Sequence, residues 1–149
     1  MEGRLKHLIF LISYIYFLIS DIRQKKIKNY ALLIYGIVGV LLCIFEYRFL
    51  NFTFFKDTLL SIGFGMIIMF VSCISKEGIG KADGIYFILN GLYLSLSENV
   101  SLFLSGIFVA FIFGMVLIVI KREKKYLKGT MPFMPCLLPM VIGYIICIQ

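Results

Sequence analysis

The chain has 149 residues, of which 61% are hydrophobic and only 15% charged, with a formal net charge of +7. A soluble domain is about half apolar and about a quarter charged, so a mean hydropathy of +0.99 excludes a soluble enzyme, a disordered chain and a coiled-coil or collagen-like rod. What remains is a small polytopic membrane protein, a single membrane-embedded domain over 1–149, with room for about six spans of about 20 residues each.

Six apolar segments follow in chain order. The first, Leu5–Ser20, runs directly into Asp21. It lacks a small-x-small cleavage site and is read as a permanent span and not a signal peptide. Next come Tyr30–Phe45, Thr58–Ser75, Ile79–Leu96, Leu102–Ile120 and Pro132–Ile148. Several are short for a hydrocarbon core of about 30 Å, and Tyr and Lys at their ends extend them by snorkelling. In the fifth segment, Gly106, Ala110 and Gly114 stand four residues apart and read as a close helix-packing face. The expected fold class is therefore all-α, with six transmembrane helices.

The basic residues give the orientation. The first, third and fifth loops carry eleven Lys and Arg, and the N-terminus and the other loops carry four. Positive charge stays in the cytoplasm, so both termini are expected outside the cell. The same loops explain the basic charge without nucleic acid, for which no extramembrane domain provides a groove. The expected partner surface is the lipid bilayer; the basic loops at Arg23–Lys28 and Lys121–Lys128 read as topology signals, with contact to anionic lipid as the alternative.

Cys43, Cys73, Cys136 and Cys147 lie in or beside apolar runs, with no C-x-x-C pair and no histidine at ligand spacing. They read as buried apolar thiols, and neither a metal nor a cofactor is expected. The single histidine, His7, reads as a solvated or headgroup residue at the outer end of the first span. Glu2, Glu46, Asp57, Glu98 and Glu123 read as solvated charges in tails or loops, and Glu77 as a loop residue beside Lys76.

Asp21 and Asp83 differ. One ends the first apolar segment and the other lies near the start of the fourth. A carboxylate at the edge of the hydrocarbon is costly to keep ionised and marks function or a specific partner. Alternating spans bring both to the cytoplasmic edge. Tyr14 and His7 share a helical stripe with Asp21, and Tyr86, Asn90, Tyr93 and Ser97 share one with Asp83; such stripes face the bundle interior. Two neighbouring carboxylates share a proton and supply an acid and a base together. That is aspartic-protease chemistry, and plain interhelical hydrogen bonding is the alternative. Gly78, Gly80 and Gly84 allow close backbone approach beside Asp83.

Three motifs then resemble those of the type IV prepilin peptidases. Asp21-Ile22-Arg23-Gln24-Lys25-Lys26-Ile27-Lys28-Asn29 resembles their first active-site motif, with Lys28 in place of the usual Pro. Gly80-Lys81-Ala82-Asp83 resembles their G-x-G-D motif, with Ala82 in place of the second Gly. Met131-Pro132-Phe133-Met134-Pro135-Cys136 resembles their Pro-Phe-x-Pro element. The resemblance implies an intramembrane aspartic endopeptidase of a prokaryotic cell membrane, active at its cytoplasmic face. It implies Asp21 and Asp83 as the catalytic pair, and a membrane-anchored prepilin or pseudopilin precursor as the substrate from which a basic leader is removed. Gly80, Lys81 and Ala82 are expected to contact the peptide backbone, with Pro132, Phe133 and Pro135 lining the site. Larger members carry a cytoplasmic insert and N-methylate their product; the short first loop leaves no room for such an insert. A degenerate, non-catalytic scaffold and a small proton-coupled transporter remain rival readings.

Overall fold

The computed structural model describes residues 2–24, 27–47, 52–74, 80–121 and 133–148. Among them the structure is helical throughout, with no strand: α1 (Glu2–Gln24), α2 (Asn29–Tyr47), α3 (Phe52–Ile74), α4 (Lys81–Asn90), α5 (Leu96–Lys121) and α6 (Leu138–Ile148), the last preceded by a 3₁₀ turn at Met134–Leu137. Three helices are long and apolar enough to cross a membrane, at Leu5–Gln24, Phe55–Ile74 and Leu96–Val116, and Asn29–Phe45 and Met134–Ile145 form shorter apolar helices. Each apolar segment read from the sequence corresponds to one helix.

The burial pattern is that of a membrane protein. Ile12, Leu41, Ile67, Phe70 and Phe111 point outward, Phe70 with 67% of its surface exposed. Contiguous apolar surface on this scale is stable against lipid and not against water. Inside, α1 buries one face made of Phe10, Tyr14, Phe17 and Asp21, which recur at helical spacing. These rings meet Tyr35 of α2 and Tyr86 of α4: the Phe17 centroid lies 5.5 Å from Tyr35 and 5.4 Å from Tyr86, edge to face.

The tightest pairing in the bundle is between α3 and α4. A Cβ on Gly65 would sit 2.5 Å from the Ile88 backbone, one on Gly84 2.8 Å from the Met69 Cα, and one on Gly91 2.6 Å from the Ile62 nitrogen. The three pairs run in opposite directions along the two helices, so α3 and α4 are antiparallel and touch backbone to backbone. Small residues permit this approach, which drives helix association where lipid removes the hydrophobic term. The glycine face expected on α5 is only partly present. Gly106 packs under Leu137 and Phe133, whereas at Gly114 no described residue comes within 4 Å of an added Cβ.

The fourth segment is shorter than expected. The α-helix stops at Asn90, and Gly91–Leu94 form a turn. Gly91 lies against the α3 backbone, and α5 starts at Leu96, six positions before the expected Leu102. The cause is a capping box. The Ser95 N–H and hydroxyl both donate to Glu98 Oε2 at 2.8 Å, and the Glu98 N–H returns to Ser95 Oγ at 3.4 Å. Ser97 therefore belongs to α5 and is exposed, so it does not continue the Asp83 stripe.

Buried polar side chains join the layers. Asn99 Nδ2 on α5 donates to Ser61 Oγ on α3 at 3.1 Å and to the Phe87 carbonyl on α4 at 3.2 Å. Tyr35 donates to Asn90 Oδ1 at 3.0 Å, and Tyr93 donates to the Tyr35 carbonyl at 2.6 Å. The glycine contacts give a direct test. Gly65→Val forces α3 from α4 and is expected to cost about 1–3 kcal/mol, whereas Gly114→Ala, with no described residue near it, is neutral or slightly stabilising. Thermal unfolding of the two variants in detergent measures the difference.

Candidate active site

Asp21 and Asp83 stand on different helices at one end of the bundle. Their separation follows from the Phe17–Tyr86 ring contact. Asp21 is one turn beyond Phe17 on α1, and Asp83 is about one turn before Tyr86 on α4. Phe17 meets Tyr86, whereas Phe10, earlier on α1, lines one small cavity together with Leu94, just beyond the end of α4, so α1 and α4 run antiparallel. Both steps therefore lead the same way, and the Asp21 charge acts on Asp83. The paired carboxylates read from the sequence are thus brought together.

Asp83 occupies the third position of α4. Gly80 is the N-cap, extended at φ −65° and ψ 141°. Its carbonyl accepts the Asp83 N–H at 3.0 Å. Asp83 thus stands in the first turn of α4, where the helix N-terminus favours negative charge. A Cβ at Gly80 would stand 3.0 Å from Asp83 Oδ2, so a side chain at that position would crowd the carboxylate. Ala82, where the motif's second Gly is expected, lies within α4. Its backbone is helical, and a residue of high helix propensity fits it. Gly80 and Lys81 are exposed and Ala82 is half-buried.

Asp21 is 7% exposed. Its Oδ2 accepts the Met134 N–H at 3.0 Å. Asp21 thereby caps the 3₁₀ turn, whose second residue is Pro135. Tyr14 donates to the Met134 carbonyl at 2.9 Å, so α1 holds both polar groups of one residue. The Phe133 ring lies edge-on to Phe87 of α4, 6.3 Å between centroids, and over Gly106 of α5. The 133–137 element thus joins Asp21 to α4 and α5. Pro132 and Gly78, both singled out in the sequence, lie outside the described residues.

Some polar residues sit elsewhere than expected. Glu98 is half-buried. Besides capping α5 it accepts the Tyr144 hydroxyl at 2.8 Å through Oε1, and Tyr144 also bonds His7 Nδ1. His7 and Glu98 are thus tied across α1, α5 and α6 at the opposite end from the aspartates. The Ser95-x-x-Glu98 spacing was the available signal for the Glu98 cap. Asn99 carried none, because its two partners, Ser61 and Phe87, stand on other helices. Of the cysteines, Cys136 is buried, Cys43 half-buried and Cys73 exposed on α3, and none of the three forms a disulfide.

The architecture is thus an integral membrane helical bundle with two acids, from α1 and α4, at one end. Residues 8–119 match the family described as the type IV leader peptidase family, a range that includes both aspartates and stops before the 133–137 element. The chain belongs to that family, and so to a family of proteases. Neither the curated proteins nor the solved structures offer a match.

The carboxylate of Asp21 has a structural function that can be read separately from chemistry. Asp21→Ala leaves the buried Met134 N–H without its acceptor and is expected to cost about 1–3 kcal/mol. Asp21→Asn keeps an acceptor oxygen and is expected to cost less than half as much. Unfolding midpoints in detergent check the order.

Proposed function

We propose that this chain is an aspartic endopeptidase that removes the basic leader of a membrane-anchored, prepilin-like precursor, with Asp21 and Asp83 as its catalytic pair. The observation that carries the reading is the pairing itself: two acids from separate helices, held at one end of an apolar bundle with one charge acting on the other. Family membership supports the peptidase class. Two close carboxylates share a proton. The ionised one draws a proton from water as the water oxygen attacks the scissile carbonyl carbon. The protonated one polarises that carbonyl, and a proton then reaches the leaving amine nitrogen as the C–N bond breaks. The pair titrates as a unit, so the two parts belong to the dyad and not to one named residue.

The proposed setting is the cell membrane of a prokaryote, with six spans, both termini outside and the aspartates at the cytoplasmic face. The eleven-to-four distribution of basic residues supports that orientation. The precursor's apolar helix lies against the bundle in the bilayer, and its leader junction reaches the acids. Exposed Gly80 and Lys81 and neighbouring Ala82 contact the unwound peptide backbone, while Phe133 and Pro135 border the site.

Co-expression with prepilin-like precursors from the same source, with the leader read by gel shift, tests the reading. Asp21→Asn and Asp83→Asn are each expected to lower the cleavage rate by about 10²- to 10⁴-fold. The rate is expected to fall both in acid, where both groups are protonated, and in base, where both are ionised. Full cleavage by the double variant ends the proposal. A scaffold would keep its role in both variants, and a transporter would cleave nothing.

A further inference from the structure

We infer that Tyr14 is a positioning residue for Asp21, acting through the backbone of Met134; the inference rests on the catalytic reading of Asp21 above. Tyr14 and Asp21 stand two turns apart on the buried face of α1. Tyr14 Oη donates to the Met134 carbonyl at 2.9 Å, and the Met134 N–H donates to Asp21 Oδ2 at 3.0 Å. Met134 is fully buried and Tyr14 is 2% exposed, so water does not compete for either bond. The hydroxyl therefore fixes where the Met134 residue sits, and through its N–H fixes one oxygen of Asp21. The Tyr14 ring stacks on Phe10, which holds the hydroxyl in place. The first turn of the 3₁₀ segment contains Pro135, which supplies no N–H of its own. The N–H that reaches Asp21 is thus that of Met134. Tyr14 touches neither water nor peptide in this scheme and acts only by aim.

Tyr14→Phe removes the hydroxyl and keeps the ring. With the full-length protein in detergent and a prepilin-like precursor as probe, kcat is expected to fall about 10- to 100-fold, with KM within about twofold of the parent. The pH–rate profile is expected to be displaced, because one carboxylate of the pair has changed its hydrogen-bonding. In ¹⁵N-methionine-labelled protein the Met134 amide is expected to shift and to exchange faster, with or without substrate. Parent kcat, or an unmoved Met134 amide, overturns the inference. Equal loss of KM and kcat with a lowered melting point also overturns it, as a purely structural effect. Should Tyr14→Phe fail to fold, 3-fluorotyrosine at position 14 alters only the hydroxyl's strength as a donor, and kcat and the Met134 amide must then change together. An inactive Asp21→Asn beside a fully active Tyr14→Phe refutes this inference alone, whereas an active Asp21→Asn refutes the catalytic reading on which it rests.

Discussion

A carboxylate buried in an apolar bundle must find donors, and this constraint organises the site end of the molecule. Asp21 meets it with the backbone N–H of Met134. The consequence reaches beyond one hydrogen bond. The turn at Met134–Leu137 becomes anchored to α1, and Phe133 is laid against Phe87 and Gly106. Asp83 sits in the first turn of its own helix, and Asp21, in the last turn of α1, reaches across to the start of the 3₁₀ turn. Both carboxylates are thus set at the start of a helical segment, where N–H groups are unpaired and negative charge is favoured.

The other half of the arrangement is steric. With lipid on the outside, helix association has no hydrophobic driving force of the kind available in water. Gly65, Gly84 and Gly91 answer this by letting α3 and α4 touch along their backbones, and Asn99 adds hydrogen bonds among α3, α4 and α5. That pairing sets where α4 stands. The aromatic contacts among Phe17, Tyr35 and Tyr86 then bring α1 against it, with Asp21 and Asp83 on the same side of the contact. The far end is closed by a separate polar group in which Glu98 caps α5 and meets Tyr144.

Much of this was legible in advance. The apolar segments, the exceptional placement of Asp21 and Asp83, and the motifs at Gly80–Asp83 and Pro132–Cys136 all stand in the linear order of residues. The length of α4 did not, although Asn90-Gly91 and Ser95-x-x-Glu98 are stop and start signals that hydropathy alone overrode. Gly114 shows the reverse case: its spacing from Gly106 suggested a packing face, yet no described residue comes within 4 Å of an added Cβ. A small residue permits close approach without requiring it.

By itself, the sequence determined a membrane-embedded helical chain with two acids where lipid makes acids expensive, because hydropathy and charge are properties of residues one at a time. Only the tertiary structure decided that Asp21 grips a backbone N–H 113 residues away, that Tyr14 holds the carbonyl of the same residue, and that Glu98 faces Tyr144. Every residue but proline carries an N–H and a carbonyl, so which one meets a given side chain leaves no mark in composition or spacing and is settled by how the helices pack.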